Sequence, residues 1–134
     1  MNHMISLLER VLKEKSHLDK SKVHVYGGSF GGYSGGILGS RYSQYFKSAI
    51  ILNGVLSIPG QLFFTDIPEW NTVETLGKED LHNLTAEDYA EMYRQSPISQ
   101  PMKIPVLQFL GAKDLRVPYR QGLLFDAITK KQGT

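Results

Sequence analysis

Cysteine is absent from the 134-residue chain, which excludes disulfides, thiolate nucleophiles and cysteine-ligated zinc. An excess of one charge is missing too. Fifteen Lys and Arg against 13 Asp and Glu leave +2, and the basic residues are scattered, so neither a nucleic-acid nor a membrane surface is expected. Long apolar runs are also lacking. The first turns carry Glu9, Arg10, Lys13, Glu14 and Lys15 among their leucines, so there is no signal-peptide core, and no stretch could span a bilayer. A cytoplasmic location is the expectation. With 41% apolar and 21% charged residues, the chain reads as one soluble globular domain at most, large enough to hold a core. It contains no internal repeat, low-complexity tract or linker.

Glycine, by contrast, is concentrated. Seven of the 13 glycines fall between Gly27 and Gly39, although glycine costs about 1 kcal/mol relative to alanine inside a helix. Gly27-Gly28-Ser29-Phe30-Gly31 follows the apolar run Val23-His24-Val25-Tyr26, which is G-x-S-x-G after a strand, the pattern of a nucleophile elbow. A hydroxyl attacks well only where the backbone turns sharply enough to lift it out of the sheet. Such a turn brings strand and helix close, and side chains at the flanking positions are expected to clash. The remaining glycines suggest a helix packed tightly under the sheet. A phosphate loop fits worse, because there is no Gly-Lys-Ser/Thr and no register of G-x-G-x-x-G.

Periodicity supplies the frame. Met4, Ile5, Leu7, Leu8, Val11 and Leu12 recur at helical spacing, with Glu9/Lys13 and Arg10/Glu14 as i,i+4 pairs opposite. Strands are expected at residues 23–26, 48–52 and 105–110, the last two buried. Helices are expected over about 31–41 and 118–131, with Pro118 at the start of the second. Thr85 to Asp88 reads as a capping box opening a helix through Tyr93, which Ser96-Pro97 ends. Residues 55–83, with Pro59, Gly60, Pro68 and Gly77, read as less regular. Strands alternating with helices give an α/β fold with a parallel sheet and flanking helices.

Catalytic groups of open α/β sheets collect at the carboxyl ends of the strands. Asp114 falls just past the third strand, as Ser29 falls just past the first. Alone, Asp114 also reads as a turn residue of Gly111-Ala112-Lys113-Asp114; beside an elbow it becomes the candidate acid of a triad ordered Ser, Asp, His. The amide of Phe30, after the nucleophile, is the natural first oxyanion donor. The base is the difficulty. The four histidines, His3, His17, His24 and His82, all precede Asp114. His24 within the strand reads as packed or surface, and the others as solvated. Tyr33, Phe63 and Trp70 are candidate substrate-binding residues. Within the insertion, Leu62, Phe63, Phe64, Ile67 and Trp70 either line a pocket or simply pack as core.

These residues carry a resemblance. Tyr26-Gly27-Gly28-Ser29-Phe30-Gly31-Gly32-Tyr33 is similar to the elbow of the prolyl oligopeptidase family of serine peptidases. Thr65-Asp66-Ile67-Pro68-Glu69-Trp70, Ser96-Pro97-Ile98 and Leu110-Gly111-Ala112-Lys113-Asp114-Leu115-Arg116-Val117-Pro118, followed by Gln121-Gly122, resemble its branch acting on N-acylated peptides. The likeness covers nearly the whole chain. It implies an α/β-hydrolase fold, Ser29 as nucleophile and Asp114 as the acid orienting a histidine. It also implies a short N-acylated peptide as substrate, acyl transfer without metal or cofactor, and a β-propeller ahead of the hydrolase domain. A homo-oligomer stays open for the full-length enzyme. The propeller, the early strands with the oxyanion-hole loop and the last strand with the histidine have no counterpart here. Residues 1–134 are therefore expected to be an internal part of the catalytic domain, inactive alone. A non-catalytic binding fragment and another hydrolase of the same fold, esterase-like, are the alternatives.

Overall fold

Three short strands, β1 (Val25–Gly28), β2 (Ala49–Leu52) and β3 (Val106–Phe109), form a parallel sheet in the order β1-β2-β3. The computed structural model describes residues 1–133. Val25 pairs with Ala49 and Ala49 with Val106, so the three strands end level. Their carboxyl ends form one rim, where the Ser29 and Asp114 loops emerge. The fold is that of an α/β hydrolase, seen in part.

The pleat sorts the side chains. Ala49 and Ile51 are fully buried, and Val25 and Val106 pack beside them. Three helices cover this face: α1 (Asn2–Glu14), α2 (Phe30–Arg41) and α6 (Arg120–Lys131). They contribute Ile5, Leu38 and Phe125 to one core with Phe46, Ile98 and Met102. The opposite face is open, with Tyr26 69%, Leu107 54% and Phe109 51% exposed. This corrects the expectation of two buried strands. Continuous apolar runs normally mean helices on both faces of a parallel sheet, but all three helices that meet the sheet lie on the same side.

Only one stripe of α1 is used. Ile5 is buried and Leu8 packs beside it, whereas Met4, Leu7 and Val11, one position earlier at each turn, stay exposed. Arg10 and Glu14 pair at 2.8 Å as expected, while Glu9 accepts a hydrogen bond from the Tyr45 hydroxyl instead of meeting Lys13. The glycines of α2 also need refinement as a sheet-packing stripe. A Cβ on Gly32 would lie 2.5 Å from the Gly54 Cα, at the β2 exit, but one on Gly36 would meet Pro97 at 2.7 Å. Two different surfaces, the sheet end and the segment around Pro97, therefore press on this helix.

Residues 55–83 are more regular than their composition suggests. They hold α3 (Ile58–Leu62) and α4 (Pro68–Leu76), which join α5 (Ala86–Gln95). Ser57 caps α3 by accepting from the Gly60 amide, Pro68 opens α4, and Gly77 closes it at φ 67°. Proline at a first helical position and left-handed glycine after the last one are boundary signals of helices, not of loops. Val55, Ile58, Leu62, Met92 and Val117 form a second apolar cluster, with Tyr33 and Trp70 packed against it. This cluster sits over the elbow side of the rim. Gln121 joins it to α6: its Oε1 accepts from the amides of Leu56 and Ser57 at 2.8 Å each, and its Nε2 donates to Gln61.

The capping box of α5 forms as expected. Thr85 Oγ1 accepts from the Asp88 amide and Asp88 accepts in return from the Thr85 amide at 2.9 Å. Lys78 Nζ donates to Asp88 Oδ1 at 2.6 Å. The Lys78 hydrogen bond first, then those from Thr85, hold the Asp88 carboxyl down to about 2 from an ordinary 3.8. Because the folded value is depressed, this contribution to stability is complete above the ordinary value and is lost as pH falls through the folded one. Urea midpoints of the wild type and Asp88→Asn are expected to differ at neutral pH and to converge between about pH 4 and about pH 2. A gap that persists unchanged at pH 2 contradicts the assignment.

Candidate active site

Ser29 occupies the turn between β1 and α2 with φ 54° and ψ −122°. A non-glycine residue rarely takes positive φ, and the strain persists only where neighbours fix it. They do so here. Ser29 N donates to Leu52 O at 3.0 Å, and Ser29 O accepts from Gly32 N at 3.0 Å and Val55 N at 3.1 Å. The side chain is exposed. The adjacent Phe30 amide, the first of α2, meets no acceptor among the described residues. An unspent amide at a helix start is free to donate to a negatively charged group beside Ser29.

Sterics single out Gly27 rather than the second glycine of the motif. A Cβ on Gly27 would lie 2.1 Å from Gly31 O, whereas one on Gly31 would meet nothing within 4 Å. The expected clash at both flanks thus holds on one side only. Position 31 points outward from the first turn of α2, while position 27 lies beneath it.

Asp114 follows β3 on the same rim. Its Oδ1 accepts from the amides of Arg116 and Val117 at 2.9 Å each, and its Oδ2 accepts from Asn53 Nδ2. The Val117 amide above all, opposed by burial and aided by Asn53 and Arg116, holds the carboxyl below the ordinary carboxylate range; Asp66 works against them. Three donors on one carboxylate fix an anion in one orientation. The loop is tied down from the insertion as well. Asp66 N donates to Leu115 O at 3.1 Å, Thr65 Oγ1 donates to Arg116 O at 2.7 Å, and Arg116 donates to Asp66 through Nε at 2.6 Å and Nη2 at 3.1 Å.

A cavity of about 280 Å³ opens beside Ser29, lined by Phe30, Val55, Gln61, Ile67, Trp70, Arg116 and Val117. Tyr33 borders a smaller space of about 40 Å³ behind Phe30 and Trp70. It stacks on Phe30 at 5.0 Å, and Trp70 meets Phe30 edge-on at 5.6 Å. Phe63 is elsewhere, 65% exposed and stacked on Tyr89. Asp114 lines a separate recess of about 450 Å³ with Leu52, Asn53, Phe109, Leu110 and Gly111. None of the histidines borders either space: His24 Nδ1 meets Ser48 Oγ at 2.8 Å, and the His82 amide donates to Asp80. Asn53 escaped the sequence reading, and the Thr65–Asp66 stretch was singled out there without its hold on the Asp114 loop. For Asn53 the available signal was Asn-Gly directly after a strand, a left-handed turn pair.

A strand-turn-helix elbow and an aspartate loop on one rim of a parallel sheet are the arrangement of the α/β-hydrolase fold. The chain belongs to the prolyl oligopeptidase family, whose pattern matches residues 1–134. It is 37% identical to the acylamino-acid-releasing enzyme 1 of Oryza sativa, covering 99% of this chain and 18% of that one. It is also 37% identical to the Homo sapiens acylamino-acid-releasing enzyme, over 87% and 16% of the respective chains. Among solved structures, the Pyrococcus horikoshii acylaminoacyl peptidase superposes with a TM-score of 0.82 at 27% identity, over 98% of this chain and 21% of that one. An acylaminoacyl peptidase in complex with Z-Gly-Gly-Phe-chloromethyl ketone gives 0.79 at 29% identity, over 95% and 20%. The chain thus spans about a fifth of the length of the relatives it matches. No helix among the described residues is long and apolar enough to cross a membrane.

The two glycines give opposite expectations. Gly27→Ala forces strand and helix apart and is expected to cost about 2 kcal/mol or more of stability, as overpacking does. Gly31→Ala is expected to leave it unchanged or to raise it by up to about 1 kcal/mol. Denaturant unfolding of both variants checks this, and equal losses contradict the one-sided clash.

Proposed function

We propose that Ser29 and Asp114 are the nucleophile and acid of a serine peptidase that releases an N-acylated amino acid from the blocked end of a short peptide. The observation that carries this reading is Ser29 itself. It is exposed at positive φ, gripped through both backbone groups, and sits beside the unspent Phe30 amide. In the reaction a histidine takes the Ser29 proton as Oγ bonds to the scissile carbonyl carbon, and the Phe30 amide donates to the oxyanion. The C–N bond then breaks as the histidine returns the proton to the departing peptide amine. Water, deprotonated in the same way, frees the acylated residue and restores Ser29. No metal or cofactor enters any step.

Trp70, Val55 and Ile67 give the cavity beside Ser29 an apolar wall suited to the acylated residue, and Tyr33 backs that wall through its stack on Phe30. Phe63 is the weakest of the three proposed substrate contacts, because it stacks away from this cavity. The histidines lie apart from Ser29, so the base comes from outside these 134 residues, which constitute an internal part of a hydrolase catalytic domain. A cytoplasmic location belongs to the same proposal.

The 134-residue chain is expected neither to hydrolyse acetyl-alanyl anilides nor to bind a fluorophosphonate. Completed with the histidine-bearing sequence of its relatives, it is expected to gain hydrolysis that Ser29→Ala lowers on the order of 10⁶-fold. Rapid stoichiometric labelling of Ser29 in the bare chain overturns the external base. A completed enzyme indifferent to loss of Ser29 overturns the function.

A further inference from the structure

Asn53, directly after β2, has φ 43° and is the only described non-glycine residue besides Ser29 at positive φ. This residue is joined to the exit of β3 at three points. Its amide donates to Phe109 O at 2.8 Å, its Oδ1 accepts from Gly111 N at 2.6 Å, and its Nδ2 donates to Asp114 Oδ2. The side-chain amide can face only one way, because the Gly111 N–H requires an acceptor and the carboxylate a donor. A Cβ on Gly111 would sit 3.0 Å from Nδ2, so glycine there leaves room for the Asn53 amide. Leu52, just before Asn53, and Val55, two residues after it, hold the other loop: Leu52 O accepts from Ser29 N, and Val55 N donates to Ser29 O.

We infer that Asn53 is a positioning residue, which fixes the Asp114 carboxylate in one rotamer and ties its placement to that of the elbow through the 52–55 segment. A turn residue chosen only for left-handed backbone would be satisfied by glycine. Asparagine adds the one side-chain donor that the Asp114 carboxylate receives; its other two donors are backbone amides of its own loop. Without Asn53 nothing outside that loop would hold the carboxylate itself. The catalytic meaning of this placement rests on the proposed function, but the placement does not.

The test uses the 134-residue chain with ¹³C-labelled aspartate. The Asp114 carboxyl is followed through a pH titration, and its β-proton couplings report the side-chain rotamer. Asn53→Gly keeps the backbone conformation and loses the donor, whereas Asn53→Ala loses the donor and strains the backbone. In both variants the Asp114 midpoint is expected to rise toward the ordinary carboxylate range, and its couplings to average over rotamers. Both variants lose the Gly111 and Asp114 hydrogen bonds and are expected to lower the unfolding midpoint, Asn53→Ala by more because it also strains the backbone. Asp66 and Arg116, the charged groups facing Asp114, are unchanged in both, so the shift reports Asn53 alone. An Asp114 that titrates and holds its rotamer as in the wild type in Asn53→Gly overturns the inference. Neither result depends on hydrolysis, so a failed peptidase assay leaves this inference standing, and the reverse also holds.

Discussion

The geometry of the rim depends on one short piece of backbone, the exit of β2. Between Leu52 and Val55 the chain receives the Ser29 amide, donates to the Ser29 carbonyl, and sends the Asn53 side chain across to the Asp114 loop. The nucleophile and acid candidates lie on the two outer strands and share no hydrogen bond. Their relative placement is therefore set by the strand between them. Hydrogen-bonded parallel neighbours stand about 4.8 Å apart, a spacing no side-chain adjustment can alter, so the register of three strands becomes the metric of the site. Gly54 serves the same arrangement: a Cβ there would press on Ile51 at 2.5 Å and on Gly32 at 3.1 Å, which would move the elbow helix off the sheet.

The insertion holds the rim from above. Thr65 and Asp66 bind the Leu115–Arg116 backbone and the Arg116 guanidinium, while Trp70, a few residues on, closes the cavity beside Ser29. One segment thus shapes the pocket and steadies the Asp114 loop. The Asp66–Arg116 pair is half-exposed, so solvent weakens its charge attraction. Its value lies in direction: a two-point contact fixes where the guanidinium plane faces the cavity.

The elbow, the individual strands and the capping box of α5 were legible because each is a local pattern with a local cause. Gly27 is demanded by Gly31 O four residues away, and Thr85 finds Asp88 three residues on. The helices α3 and α4 were hidden by the same residues that delimit them, since Pro59, Pro68 and Gly77 punctuate loops and helix ends alike. For Asn53 the turn was legible but the partners of its side chain were not. Its partners, Gly111 and Asp114, are 58 and 61 positions away, and only the β2–β3 register brings them together. The strands' apolar runs gave their existence correctly but not their exposure, because a sequence does not state which neighbours cover a face.

That uncovered face governs how the chain behaves as a colloid. Tyr26, Leu52, Leu107 and Phe109 meet water on one side of the sheet, while a net charge of +2 supplies little mutual repulsion. Warming and excluded salts such as sulfate strengthen apolar attraction, and chilling relaxes it. Handling of this polypeptide in solution is therefore a matter of temperature and salting-out, with cold, dilute, low-sulfate conditions keeping the molecules apart.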